Sequence, residues 1–241
     1  DRVSEARPHN GLILEASPLP TPPVSALLPV DQRATQIDAA SPSLTTTPSP
    51  SLTIPLPRHH HAFRSPFPFL PLFDTVLNPG NLGSLLRSVH FLGLPSVLLS
   101  TRTCAPLNAS TLKAASGAAD ALRILAVSEP ARFLDESIRN GWRVYGAASP
   151  EAAANIGEAM GWRSSSTREK HRRAKPLFEM SPHPLGKSPV ILLIGGEGKG
   201  LRPALLKRCQ GFLGITKGRK VGGDVGVDSL GVAVAGAVVM E

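Results

Sequence analysis

A continuous apolar run, Pro189 to Ile194, leads straight into the loop Gly195-Gly196-Glu197-Gly198-Lys199-Gly200. An apolar run with no polar alternate suits a strand covered on both faces, and such strands belong to parallel sheets flanked by helices. The chain keeps to that pattern from residue 67 onward. Leu82, Leu85, Leu86 and Val89 recur at helical spacing and predict a helix over 81–91. Ser96 to Ser100 reads as a strand, and 110–125 and 132–140 as helices, the second ended by Gly141. Strands are expected at 142–147 and 211–216, and helices at 202–209 and 229–240. Residues 69–77 read as the first strand, where Pro71 points to an edge position or a kink. Strands alternating with helices imply an α/β fold, a parallel sheet with helices on both faces.

Composition divides the chain. Of its 24 prolines, 13 fall within residues 1–70, and residues 41–53 hold eight Ser/Thr and three Pro. Such a stretch offers little apolar surface to offset its ordering entropy, so 1–65 is expected to be a disordered Pro/Ser/Thr-rich tail and 66–241 the working domain. His59, His60 and His61 have no Cys or carboxylate at ligand spacing, so a solvated linker is the expectation there rather than a metal site. A 40-residue connection over 149–188 interrupts the rhythm, and 163–175 within it carries six Lys/Arg against one Glu. It reads either as a solvated insertion or as a contact for nucleic acid.

With 26 Lys+Arg against 18 Asp+Glu, the net charge of +8 suits a polyanionic partner. Cys104 and Cys209 are too few for a disulfide framework, which makes a reducing compartment the default. The longest uncharged apolar run, Leu230 to Met240, is 11 residues, against the roughly 18–20 that cross a bilayer, so no membrane span is expected. The first residue is Asp1, as expected of a processed form or a fragment whose targeting segment lies upstream.

Two glycine-rich turns follow strands, where α/β sheets place ligands. The first, Asn78-Pro79-Gly80-Asn81-Leu82-Gly83, leads into the helix that carries Arg87; the second is the 195–200 loop. Neither is a nucleotide fingerprint. From Gly196 the last glycine of a dinucleotide loop would have to be Leu201, and Gly200 is followed by Leu201 and Arg202 rather than by the Lys-Ser/Thr of a phosphate loop. Glu197 would repel phosphate and suits a cationic or hydroxyl-bearing ligand. A merely tight strand-to-helix turn is the other reading of this loop. A third element, Val227-Asp228-Ser229-Leu230, opens the last helix, either as its cap or as a set of amides that hold a ligand.

These three elements, NPGNLGSLLRSVHFLG (78–93), LLIGGEGKGLRP (192–203) and VDSLGVAVAGAVVM (227–240), resemble the SpoU/TrmH family of RNA ribose 2′-O-methyltransferases in the SPOUT superfamily. The stretch CAPLNASTLKAASGAADAL (104–122) is similar to the mitochondrial large-subunit rRNA branch. The resemblance covers 67–241 and implies an α/β fold with a C-terminal trefoil knot, S-adenosylmethionine as methyl donor, a homodimer, and rRNA as partner. It further implies a guanosine as target, a mitochondrial location (otherwise cytoplasmic) and no metal. By position it puts the cofactor against the backbone of Gly195, Ile215 and Leu230. It makes Arg87 the catalytic arginine, with Asn81, Glu197 and Ser229 in support.

Methyl transfer to a ribose hydroxyl is an in-line displacement that needs alignment and no metal. Arg87 lies well away from the apolar stripe of its helix, free to face a groove. A guanidinium is rarely neutral, so a role in holding phosphate and easing loss of the hydroxyl proton suits it better than that of a general base. His90, one turn on, is the better base at neutral pH, or else a helix-flank histidine. The chain departs from the family's S-L-N-V-S at Gly231 and Ala233, and from its Asp-Pro at Asn78. The alternative expectation is therefore a catalytically impaired relative that binds rRNA as an assembly factor.

Overall fold

Successive residues of the central strands point into two different cores. In the computed structural model, which describes residues 11, 17–31, 36–42, 51–55, 67–149, 152–153, 155–156, 186–198, 200–215 and 230–241, Ile191 and Leu193 enter one core while Leu192 and Ile194 enter the other. Leu70 and Leu72 are likewise split from Phe73, and Leu98 from Val97 and Leu99. This is the period-2 geometry of a strand buried on both faces.

The main sheet has six parallel strands: β4 (Phe69–Phe73), β5 (Ser96–Ser100), β6 (Arg123–Val127), β7 (Arg143–Ala147), β8 (Val190–Ile194) and β9 (Gly211–Leu213). Their order is β6-β5-β4-β8-β7-β9. One core packs α1 (Pro79–Phe91), α2 (Ala109–Ala115), α3 (Ala118–Ala121) and α6 (Val232–Met240) on the sheet. The other core packs α4 (Pro130–Arg139) and α5 (Pro203–Leu206) on the opposite face. The α/β class expected from the sequence is the one observed. Among the described residues no helix is long and apolar enough to cross a membrane.

The tail expected through residue 65 is corrected over its described segments. They form an antiparallel sheet, β1 (Ala26–Leu27), β2 (Gln36–Ala40) and β3 (Ser51–Pro55), in the order β1-β2-β3. Leu27, Ile37, Ala39 and Ile54 are buried in the second core, so the alternating apolar residues outweigh the surrounding Pro, Ser and Thr. The Leu27 amide donates to Ser137 Oγ (3.0 Å), Asn140 Nδ2 to the Leu27 carbonyl (2.7 Å) and Trp142 Nε1 to the Leu28 carbonyl (2.9 Å), which ties the small sheet to α4 and β7. The preceding residues cover the open edge of β6, where the Val24 amide donates to the Ala126 carbonyl and the Ala126 amide to that of Pro22, both at 2.9 Å. The histidine triplet and residues 157–185, with the basic cluster, lie outside the described residues.

Pro71 is neither at an edge nor at a kink: β4 is central. Its ladder to β8 runs from Phe69 to Phe73, whereas pairing to β5 covers only Leu72 and Phe73. The missing proline donor thus falls where the ladder to β5 has not yet begun. The helix expected over 110–125 is also corrected, to α2, α3 and the strand β6. Ser116 (φ +51°) and Gly117 (φ +85°) end α2 in left-handed geometry, and Arg123 to Val127 then pair with β5. The expected helices at 202–209 and 229–240 shorten to α5 and α6, and the strand at 211–216 to β9.

Candidate functional site

The loops at the carboxyl ends of β4, β5 and β8 meet in one place, where open α/β sheets bind ligands. Asn78 caps α1: its Oδ1 accepts the amides of Gly80 (2.8 Å) and Asn81 (3.2 Å), with Pro79 pre-set for the first turn. Gly83 lets α1 lie against α2, because a Cβ there would stand 2.3 Å from the Thr111 carbonyl oxygen.

The loop after β8 is shaped by what its glycines exclude. A Cβ on Gly196 would meet the Thr75 carbonyl oxygen at 2.0 Å, and one on Gly195 would lie 2.4 Å from the Gly200 carbonyl carbon. Gly195 is thus buried against the loop's own backbone. Thr75 itself holds a left-handed φ of +58°. Its hydroxyl donates to the Asp74 carbonyl (2.6 Å) and accepts the Gly196 amide (3.1 Å), latching the β4 loop to the β8 loop.

This latch brings Glu197 to Asn81. Asn81 Nδ2 donates to Glu197 Oε1 at 2.8 Å, and the Cβ direction of Gly231 ends 3.7 Å from the same oxygen. Residues from all three sequence motifs therefore converge on one exposed carboxylate. Arg87 is not part of this contact. It lies six residues further along α1, about 9 Å by the rise of a helix, exposed, with Nη1 donating to Ser116 Oγ at 3.4 Å. His90 is exposed in the last turn of α1. Ile215 is half-buried just beyond β9, Leu230 is exposed ahead of α6, and Ser229 lies outside the described residues.

Sequence reasoning missed the group beneath the loops. Asp74 has no exposed surface, and Arg202 grips it with two bonds, Nε to Oδ2 and Nη2 to Oδ1, both 2.7 Å. Thr103 Oγ1 adds a bond to Asp74 Oδ1 at 2.7 Å and shares a 2.8 Å hydrogen bond with Ser100. The loops after β4, β5 and β8 are thus pinned to one carboxylate, and its hydrogen bonds hold the Arg202 guanidinium above its ordinary pKa. A lone Asp closing an apolar run was the available signal. Beside it, burial pushes the Cys104 thiol up to about 11, which keeps it protonated and inert at neutral pH. The arrangement offers a fixed carboxylate, a nearby amide, an exposed arginine further along α1 and close-approach backbone. Those are groups for positioning an acceptor rather than for covalent catalysis.

Residues 69–241 match the SpoU rRNA Methylase family. Over its full length the chain is 30% identical to "rRNA methyltransferase 1, mitochondrial" of Schizosaccharomyces pombe, covering 70% of that protein. It is 26% identical to the protein of the same name from Dictyostelium discoideum, covering 39% of it. The chain thus spans only part of the length of these relatives. In fold it is similar to an rRNA methyltransferase from Sinorhizobium meliloti, with a TM-score of 0.52 at 20% identity over 81% of this chain and 64% of that one.

Proposed function

The chain belongs to the SpoU rRNA methylase family, and from that premise we propose that it transfers a methyl group from S-adenosylmethionine to a ribose 2′-hydroxyl of rRNA. The observation that carries this reading is the Asn81–Glu197 hydrogen bond beside Gly231, which joins the three motifs at a single point.

The residues suit the donor. Glu197 is an exposed carboxylate, favourable to a sulfonium cation and unfavourable to phosphate, and Gly198 and Gly231 leave open backbone on either side of it. Gly195, Ile215 and Leu230 are the proposed backbone contacts of the cofactor. When bound, S-adenosylmethionine supplies an electrophilic methyl group. Asn81 fixes the Glu197 carboxylate, Arg87 holds a phosphate beside the acceptor ribose, and its fixed positive charge eases loss of the hydroxyl proton. Ser229 completes the set in this proposal.

The finer assignment is a guanosine of mitochondrial large-subunit rRNA and a mitochondrial location, supported by the names of the relatives from S. pombe and D. discoideum. A homodimer is proposed from α6, whose Val234 and Val238 are exposed on the side away from the Gly236–Leu85 contact. The C-terminal trefoil knot is part of the same proposal.

One observation favours a second reading, a catalytically impaired rRNA-binding assembly factor: Gly231 puts no polar side chain on Glu197. Transfer of labelled methyl from S-adenosylmethionine to large-subunit rRNA separates the two. Methylation by the chain, abolished in Arg87→Ala, supports the enzyme; binding of that rRNA by the folded protein with no methylation establishes the second reading.

A further inference from the structure

A cavity of about 350 Å³ opens at the carboxyl ends of β5 and β6, apart from the Asn81–Glu197 contact. Three arginines line it, Arg102, Arg132 and Arg202, against one acidic residue, Glu129. We propose that this cavity binds a backbone phosphate of the RNA strand, next to the nucleotide that is methylated. The proposal rests on the reading of RNA as substrate and adds to it a second point of attachment on the strand.

Each arginine is placed for that task in a different way. Arg202 is pre-oriented: Nε and Nη2 are committed to the buried Asp74, while its side chain stays 40% exposed toward the cavity. Arg102 is exposed and has no hydrogen-bond or ion-pair partner among the described residues. Arg132 touches Glu129 only at 3.9 Å, with both side chains largely exposed. Such a pair is weak and yields readily to a phosphate. Glu129 works against an anion, and the three cations outnumber it.

The backbone adds to the field. Pro130 opens α4, which carries no side-chain cap and no acidic residue in its first turn. The amides at that end are therefore left for a ligand, at the positive end of the helix dipole. Ser128 adds an exposed polar side chain to the same cavity.

The cavity is linked to the methylation site by one layer of residues. Arg202 and Thr103 hold Asp74, the neighbouring Thr75 holds Gly196, and Glu197 follows. In the proposal, a strand seated on the arginines continues toward Asn81 and Glu197. RNA and free inorganic phosphate share this chemistry, and the polymer is the favoured source because the cations are spread across an open cavity rather than closed around a single ion.

The test is anisotropy of a fluorescent single-stranded oligoribonucleotide, titrated with the full chain at several salt concentrations without methyl donor. Arg102→Ala/Arg132→Ala is expected to bind roughly tenfold more weakly at low salt, with a log–log salt slope reduced by about 0.7 for each phosphate that is no longer neutralised. Arg139→Ala, which removes an exposed arginine paired with Glu136 elsewhere on α4, is expected to keep the slope. An unchanged slope in the double variant, or an equal weakening in Arg139→Ala, overturns the proposal. So does inorganic phosphate binding that depends on Arg102 and Arg132 while RNA binding does not. Absence of methyl transfer with the expected RNA result would instead reject the enzymatic reading and leave the cavity assignment standing.

Discussion

Arg202 holds Asp74 in a two-bonded fork in which one partner has no exposed surface and the other is 40% exposed. The two ends of this pair therefore fail differently. In Arg202→Ala the buried carboxylate keeps only the Thr103 hydroxyl, and the expected loss is about 3 kcal/mol. In Asp74→Ala the guanidinium can turn to water, and the loss is smaller, about 2 kcal/mol. The double variant is expected to be no less stable than Arg202→Ala. Urea unfolding of the three variants checks the order, and equal losses at the two ends would show that the burial difference does not govern the pair.

Two glycines of the same loop predict different outcomes. Gly196→Ala drives a methyl group against the Thr75 carbonyl oxygen, a backbone atom that cannot swing aside. The expected cost is about 3 kcal/mol, with displacement of Glu197 and loss of methyl transfer. Gly198→Ala has open space and meets only its left-handed φ of +78°, at about 1 kcal/mol. Its methyl transfer is expected to persist. Thermal unfolding and the labelled-methyl assay compare the two, and a Gly196→Ala protein as active as the parent would rule out the Thr75 latch.

The sheet was legible where strands carry continuous apolar runs, as in Val190 to Ile194 and Val97 to Leu99, because burial on both faces leaves one reading. The glycine loops were legible for the same reason, being the turns that follow those strands. The β6 strand was not, since Leu122 to Val127 carries apolar residues that continue the preceding helical period, and only pairing with β5 decides its state. The β1–β3 sheet was hidden because its stability comes from Leu27, Ile37 and Ile54 meeting α4 and β7, contacts no local window contains. The Asp74–Arg202 fork joins positions 128 residues apart and has no local pattern. The Asn81–Glu197 contact spans a similar distance, but each residue lay in a motif that marked it.

A second ion pair carries a pH signature. Arg208 bonds Asp135 through Nε (2.8 Å) and Nη2 (2.6 Å), and these hydrogen bonds hold the Asp135 carboxyl below its ordinary value of 3.8. A depressed carboxylate contributes stability that is present above the unfolded pKa and is lost as pH falls through the folded one. The parent is thus expected to exceed Asp135→Asn in stability near neutrality and to converge with it in acid below that range. Both side chains are partly exposed, so the difference should stay below roughly 1 kcal/mol. Urea midpoints at about pH 7 and about pH 2.5 measure it. A gap that widens in acid would contradict the sign.

Gly231 stands where the family motif has Asn, and two independent effects of restoring it can be read from its geometry. Its φ of −57° and ψ of 146° are open to any residue, and it caps α6 with no side-chain hydrogen bond. Among the described residues a Cβ there meets nothing closer than Glu197 Oε1 at 3.7 Å, so the first carbon of an Asn side chain meets no clash with them. As a helix cap, Gly231→Asn is expected to add about a few tenths of a kcal/mol. As a donor to Glu197, it would supplement Asn81 on the same carboxylate and hold it more firmly against the acceptor. The expected gain in methyl transfer is about fivefold, the effect of one hydrogen bond of roughly 1 kcal/mol. Gly231→Asp separates the two effects, because Asp caps as well as Asn but its carboxylate has no proton to donate to Glu197. A gain in Asn alone identifies the contact to Glu197 as the cause. Equal gains in both variants would assign it to the helix cap, and no gain in either would mean that the missing Asn does not limit this chain.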